Sequence, residues 1–120
     1  MLKFFLSSVL LSAVFSVNLP ALAQSVPKLR QGMAYSEVRN LLIEEGWQAV
    51  FNPEQVNNPN RSDVIDRFIE EGYTEVVDCS GTGLGLCLFQ FQNATGQSLL
   101  ITTANNDSEE ENTVFDWRLE

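Results

Sequence analysis

The sequence predicts an α+β fold in which two N-terminal helices pack on one face of a four-stranded antiparallel meander. Three observations lead to this prediction. Apolar residues recur every three or four positions between residues 35 and 71, they alternate with polar residues after residue 72, and turn-rich segments separate the runs. Because the helical period comes first and the strand period second, we expect helices and strands to be segregated along the chain.

The first 23 residues have the pattern of a secretory signal peptide. Lys3 provides a basic start, residues 4–17 form a mostly apolar segment, and Ala21-Leu22-Ala23 is a small-x-small cleavage site. The apolar segment is shorter than the ~20 residues that a membrane span needs. We therefore expect a periplasmic or secreted protein with no membrane insertion after signal removal. An N-terminal anchor that is never cut is the alternative.

Composition limits the remaining chain to one domain and argues against several functions. We expect residues 24–30 to form a tether and residues 31–120 to form a single domain. The 120 residues include 7 Lys and Arg, 16 Asp and Glu and no His, which gives a net charge of −9. Such an acidic chain is unsuited to nucleic acid or to an anionic membrane surface. Without His, the commonest general base and zinc ligand are missing.

Two short amphipathic helices are predicted in the first half of the domain. The first runs from Tyr35 to Glu45 and carries apolar residues on one face. The second runs from Asp63 to Glu71, with Ser62 as its N-cap. Between them we expect a short apolar connection over residues 47–51. A loop should follow over residues 52–60, since the Asn and Pro of that segment favour turns.

Four strands are predicted in the second half of the domain. The alternation is clearest in the second strand, where Cys87, Phe89 and Phe91 share one face. A loop that ends in Gly96 joins the second strand to the third. Their order along the chain favours an antiparallel meander that the helices cover on one face. The predicted strands are residues 75–79, 86–92, 97–103 and 113–119.

Cys79 and Cys87 are predicted to form a disulfide. They are the only two cysteines, and an even number of cysteines in an exported chain is typical of disulfide bonding. The segment between them, residues 80–86, contains three glycines that allow it to turn back sharply. A redox-active pair is disfavoured, because the spacing is not Cys-x-x-Cys and no adjacent basic residue would lower a thiol pKa. Free thiols remain the other alternative.

The candidate partner-binding residues are three loop positions and two tryptophans. Gly83, Leu84 and Gly85 lie in a loop that could form an interaction surface, with a tight hairpin as the plainer interpretation. A phosphate cradle would need a following helix and a Lys, and this loop has neither. Trp47 and Trp117 would mark a protein-binding patch if they were exposed, and core packing is the alternative.

The sequence indicates no metal, cofactor or small-molecule ligand. The acidic segment Asp107–Glu111 lacks the alternating ligands and central Gly of an EF-hand loop. Glu75 and Asp78 are the only carboxylate pair beside the predicted core, and we expect both at the surface, on alternating strand positions. We therefore predict no catalytic residues, and a protein that is not an enzyme.

One segment resembles a known family. Leu29-Arg30-Gln31-Gly32-Met33 leads into an apolar helical face that ends at Gly46-Trp47. This pattern resembles the opening of the small periplasmic modules of the SmpA/OmlA (BamE-type) family and of β-lactamase-inhibitor-like domains. The resemblance implies two helices on an antiparallel sheet and a location in the bacterial envelope. The chain departs from the BamE-type lipoproteins at Gln24, where those proteins carry the lipid-modified Cys. The helical residues of the pattern are Val38, Arg39, Leu41 and Leu42.

The leading functional hypothesis is a non-catalytic interaction module of the bacterial envelope that binds a protein partner through its sheet face. The alternative is a protein inhibitor of an exported enzyme, which would act through a protruding loop at residues 80–86. A small hydrolytic enzyme is the third hypothesis, and it would need a cleft with converging carboxylates near Glu75 and Asp78. The polarity of the free sheet face, the shape of the loop at residues 80–86 and a cleft near Glu75 and Asp78 therefore distinguish the three hypotheses.

Overall fold

A computed structural model describes residues 26–81, 83–105 and 111–120. The predicted signal peptide, Gln24 and most of the acidic segment lie outside the described residues. The α+β class is confirmed. No described helix is long and apolar enough to cross a membrane. The elements are α1 (Tyr35–Glu44), β1 (Gln48–Ala49), α2 (Pro53–Val56), α3 (Asp63–Glu70), β2 (Val76–Cys79), β3 (Cys87–Gln92), β4 (Ser98–Ala104) and β5 (Thr113–Leu119).

The sheet has five strands in the described part of the chain, so the prediction of four strands was wrong. β3, β4 and β5 form an antiparallel meander, as predicted. β1 and β2 lie end to end along the other edge of β3. β1 pairs with Phe91 and Gln92, and β2 pairs with the opposite end of β3, from Cys87 to Phe89. The segment predicted as a connection therefore contains a strand.

The segment predicted as an Asn-rich loop contains the short helix α2, which makes three described helices instead of two. Asn52 caps this helix, because its side-chain oxygen accepts a hydrogen bond from the Glu54 N–H at 3.2 Å. Pro53 takes the first helical position, where its missing N–H has no intrahelical partner to lose. The same residues that favour a turn thus also start a single turn of helix.

α1 and α3 lie where the sequence predicts them, but their N-termini are satisfied differently. The Ser62 hydroxyl accepts a hydrogen bond from the Ile65 N–H at 3.3 Å, which is the predicted N-cap of α3. α1 has no side-chain cap from its own N-cap residue, Ala34. Its Ser36 N–H instead donates to Glu111 Oε1 at 2.8 Å. The start of α1 is therefore stabilised by a carboxylate that lies just before β5.

The core lies between the helices and one face of the sheet. α1 contributes Tyr35, Val38 and Leu42, which are all fully buried. The segment expected to be a tether also contributes, since Leu29 is only 8% exposed. Because cross-strand partners share a face, the alternating residues of β3 and β4 divide cleanly between the two sides of the sheet. The buried strand residues on the helix side include Phe89, Phe91, Leu99, Ile101 and Val114.

The other side of the sheet, which we call the open face, is mixed in polarity. Register places Leu88 opposite Thr102, and Leu100 between Gln90 and Arg118. Leu88 is half-buried, and Leu100 is buried although it points away from the helices. The open face is therefore a surface with apolar centres and polar surroundings, which is the composition of many protein-binding surfaces.

Candidate functional site

The predicted disulfide between Cys79 and Cys87 is present. The two residues are direct cross-strand partners, with a Cα–Cα distance of 4.1 Å, at the point where β2 ends and β3 begins. The Ser80 N–H donates to the Leu86 carbonyl at 2.7 Å, which closes the loop just beyond the bond. We call residues 80–86 the disulfide loop. A bond that closes so short a loop contributes about 2.5 kcal/mol in the chain-entropy account.

The tip of the disulfide loop holds a leucine in solvent. Leu84 is 46% exposed, and Gly83 and Gly85, on either side of it, have positive φ angles of +73° and +64°. The Leu84 carbonyl accepts a hydrogen bond from the Asn105 N–H at 3.1 Å. A Cβ at Gly85 would overlap the Asn105 side chain. The loop therefore packs closely against the end of β4 while its leucine points away from the core.

A groove of about 400 Å³ on the open face borders the disulfide loop. It is lined by the two cysteines, by loop residues, and by strand residues of the open face. The groove reaches the disulfide loop at Ser80 and Leu86, and we call the groove and the loop tip together the sheet–loop surface. Its residues are Asp78, Ser80, Gly83, Leu84, Gly85, Leu86, Leu88, Thr102 and Arg118.

The two candidate tryptophans lie in different environments. Trp47 is 1% exposed and belongs to the core, so it offers no surface to a partner. Trp117 is half-buried on β5 and packs against the edge of the core. Phe115 and Leu119 on the same strand are 42% and 48% exposed. Of the five candidate positions, the structure brings Gly83, Leu84 and Gly85 together and leaves the tryptophans apart from them.

Glu75 is fully buried, so the expectation that it lies at the surface was wrong. The Tyr35 hydroxyl donates to Glu75 Oε1 at 2.7 Å, and the Arg39 Nε donates to the same oxygen at 2.6 Å. The Arg39 guanidinium also lies 5.0 Å from the centre of the Tyr73 ring. We call these four residues the buried cluster. The other oxygen, Glu75 Oε2, has no hydrogen-bond partner among the described residues.

Electrostatics explain why this carboxylate is tolerated in the core. Burial, and next the neighbouring Glu75, raise the pKa of Tyr35, so the phenol stays neutral and donates its proton. Burial alone would lower the pKa of Arg39, but the hydrogen bond and the charge of Glu75 outweigh it and raise that pKa. Arg39 therefore stays charged and balances the carboxylate.

The sequence contained one signal for the buried cluster. Tyr35 and Arg39 are four residues apart in α1 and flank Val38, so all three lie near the face that packs on the sheet. A cationic residue at such a position needs an anionic partner in the core. Asp78, in contrast, is exposed, as predicted.

A second cleft of about 420 Å³ lies beside the buried cluster, and its lining includes Tyr35, Tyr73 and Glu111 but not Glu75. Glu75 and Asp78 share no cleft among those found in the described part of the chain. Over the same residues, no group of three or more His, Cys, Asp or Glu is placed to hold a metal ion.

Neither a family model, nor a curated protein, nor a solved structure matches this chain.

Proposed function

We propose that the protein is an exported, non-catalytic interaction module of the bacterial envelope that binds a protein partner through the sheet–loop surface. The observation that carries the proposal is the exposed Leu84 on a loop closed by a disulfide. An exposed apolar side chain next to a groove offers area that a partner can remove from water. Because the disulfide and the Asn105 hydrogen bond already restrict the loop, binding costs little further ordering entropy.

The groove supplies the surroundings that such an anchor needs. Leu88 provides apolar area at its base, while Asp78 and Arg118 provide charges of opposite sign at its border. A polar border of this kind excludes water from a central contact and selects for a complementary partner. The net charge of −9 further favours a partner whose binding surface is basic.

The buried cluster supports the non-catalytic part of the proposal. Glu75 is enclosed by its own chain and neutralised by Arg39, so it has neither the access nor the free charge of a general base. The chain also has no His, which removes the group most often used for proton transfer near neutral pH.

Site-specific crosslinking in the source cells tests the proposal. A photoreactive residue at position 84 should crosslink one defined envelope protein. The same residue at position 51 is the matched control, because Phe51 is also exposed, at 57%, but lies away from the sheet–loop surface. Leu84→Ser should abolish co-purification of that protein, whereas Phe51→Ser should leave it unchanged. Equal crosslinking at both positions, or none at position 84, would contradict the proposal.

An inhibitor of an exported enzyme is the second candidate function. The disulfide loop favours it, because a short closed loop with an exposed apolar tip can enter a substrate cleft without unfolding. The two functions differ in what the crosslinked partner does. If the partner is an enzyme, the oxidised protein should reduce its activity at a one-to-one ratio, and Leu84→Ser should restore that activity. Binding without any change of activity favours the interaction module.

A further inference from the structure

β5 lies at the edge of the sheet, and part of its outer side is already covered. Val114 donates its N–H to the Met33 carbonyl at 2.8 Å and accepts a hydrogen bond from the Gly32 N–H at 2.8 Å. The register shifts at Phe115, where β5 has an extra residue. Beyond that bulge, no strand of the described residues pairs with the outer side of β5.

The backbone of this outer segment is oriented to accept another strand. Ser98 and Glu120 exchange both of their backbone hydrogen bonds, at 3.1 and 2.8 Å, so Glu120 directs its N–H and C=O groups towards β4. In an antiparallel pair the direction alternates from one residue to the next. Leu119 and Trp117 therefore direct their N–H and C=O groups outwards. A row of such groups on an edge strand is a template for pairing with a further strand.

The sequence of the segment is self-complementary about its central residue. Phe115-Asp116-Trp117-Arg118-Leu119 reads apolar, acidic, apolar, basic, apolar. We propose that a second copy of this chain pairs antiparallel along this edge, with Trp117 opposite the partner's Trp117, so that the two sheets form one continuous sheet.

In this register each residue meets a complementary residue of the second copy. Asp116 lies directly opposite the partner's Arg118, and the two-fold symmetry repeats that charge pair on the other side of Trp117. Phe115, 42% exposed, lies opposite the partner's Leu119 and covers apolar area that is open in the single chain. Directly opposed charges and apolar pairs of this kind stabilise antiparallel strands.

Two existing contacts must break when the second copy pairs with this edge, and both are weak. Arg118 forms an ion pair with Glu120 at 3.1 Å, but both side chains are more than half exposed, so that pair contributes little. The Gln31 side chain donates to the Phe115 carbonyl at 2.9 Å in an exposed position where water can replace it. Neither contact belongs to the core.

The charges on the outer segment of β5 favour pairing with a second copy over the alternative that they only protect the edge from pairing. Edge strands are commonly protected by charges that repel an approaching strand. Here Asp116 and Arg118 have opposite signs at equal distances from Trp117, so a second copy is attracted at both. The repulsion between two chains of net charge −9 acts over a longer range and is screened within ~8 Å at physiological salt. The pairing shares Arg118 with the border of the sheet–loop surface, but sedimentation of the isolated protein tests the pairing without the sheet–loop partner.

Charge exchange at the edge tests the proposal. Sedimentation velocity of the oxidised protein recovered after export, from micromolar to submillimolar concentration, should show a reversible dimer. Asp116→Arg should weaken the dimer about thirtyfold, because both symmetric pairs change from attraction to repulsion. The double variant Asp116→Arg/Arg118→Asp restores opposite charges and should restore the dimer. Glu70→Arg makes the same change of net charge on exposed α3 surface and is the matched control.

Each outcome decides for or against the pairing. Hydrogen exchange at the Trp117 and Leu119 amides should slow as the concentration of wild-type protein rises. The proposal is overturned if the wild-type protein stays monomeric at submillimolar concentration. A monomer is also the result expected if the edge binds a different protein instead of a second copy. A dimer that is unaffected by Asp116→Arg and lost in the double variant overturns the Trp117-centred register, because Arg118 would then be opposite the partner's Glu120.

Discussion

The buried cluster and the disulfide loop distribute polar and apolar groups in opposite ways. In the buried cluster a carboxylate and part of a guanidinium are enclosed by aromatic rings, with Tyr35 stacked on Phe89 at 3.9 Å between ring centres. In the disulfide loop, a leucine is held in solvent by two glycines and a covalent bond. The charged groups of the buried cluster therefore join elements of this fold, whereas the disulfide loop leaves an apolar side chain in solvent.

Removal of the Glu75 carboxylate should have the largest effect on stability. Glu75→Ala leaves Arg39 without its partner and Tyr35 without its acceptor, and loss of one member of a buried ion pair costs about 3–5 kcal/mol. Guanidinium denaturation measures the change. Glu70→Ala, on the exposed side of α3, is the control and should change the unfolding free energy by less than about 0.5 kcal/mol. Equal effects of the two substitutions would mean that the cluster does not support the fold.

Loss of the disulfide should have the next largest effect on the free energy of unfolding. The double variant Cys79→Ser/Cys87→Ser should lose about 2.5 kcal/mol, because the unfolded chain regains the freedom that the closed loop removes. Thermal unfolding with and without a reductant measures it. The reductant should lower the melting temperature of the wild-type protein and leave that of the double variant unchanged. A wild-type protein that is insensitive to reductant would contradict the prediction.

The Tyr35 hydroxyl should have a smaller effect that depends on pH. Tyr35→Phe removes one hydrogen bond to Glu75 and should cost about 1–2 kcal/mol at neutral pH. Burial and next Glu75 raise the pKa of Tyr35 above its ordinary value of 10.0. The unfolded chain therefore ionises first, so the stabilisation is complete below pH 10 and is lost as the pH rises above it. The unfolding free energy should fall more steeply with pH in the wild-type protein than in Tyr35→Phe.

Substitution of the two glycines that flank Leu84 should distinguish the cost of a positive φ angle from the cost of a steric overlap. Gly83→Ala and Gly85→Ala both place a side chain at positive φ, which costs about 1 kcal/mol. Only Gly85→Ala also displaces the Asn105 side chain. Hydrogen exchange of the Asn105 amide, which donates to Leu84, is the sensitive measurement. It should accelerate in Gly85→Ala and stay unchanged in Gly83→Ala; the same rate in both variants would show that the loop does not rely on the close approach.

The elements that could be predicted from the sequence are those that local pattern determines. α1, α3 and the meander follow from the period of apolar residues, and the disulfide follows from two cysteines in a chain with a predicted export signal. β1 could not be predicted, because two residues are too short to show an alternation and exist as a strand only through pairing with β3. The Asn and Pro residues around α2 predict a loop, because Asn followed by Pro favours both a β-turn and the first turn of a helix.

In the candidate site as well, some features could be predicted from the local sequence and others depend on tertiary contacts. Leu84 could be chosen from the sequence, because glycines on either side of an apolar residue indicate a turn that exposes it. The burial of Glu75 could not, because it depends on Arg39, which is 36 residues away in the sequence and comes close only in the folded chain. Trp47 was a candidate only because an aromatic side chain packs in the core and in binding surfaces alike; its burial is decided by tertiary contacts.

The bonds that join the start of α1 to the start of β5 affect when the protein can fold. Gly32, Met33, Tyr35 and Ser36 all bond to residues 111–114, about 80 positions later in the chain. Synthesis from the N-terminus produces α1 long before the residues that complete it. The start of α1 therefore gains its backbone and carboxylate partners only when β5 is in place, which makes these contacts among the last that the chain can form.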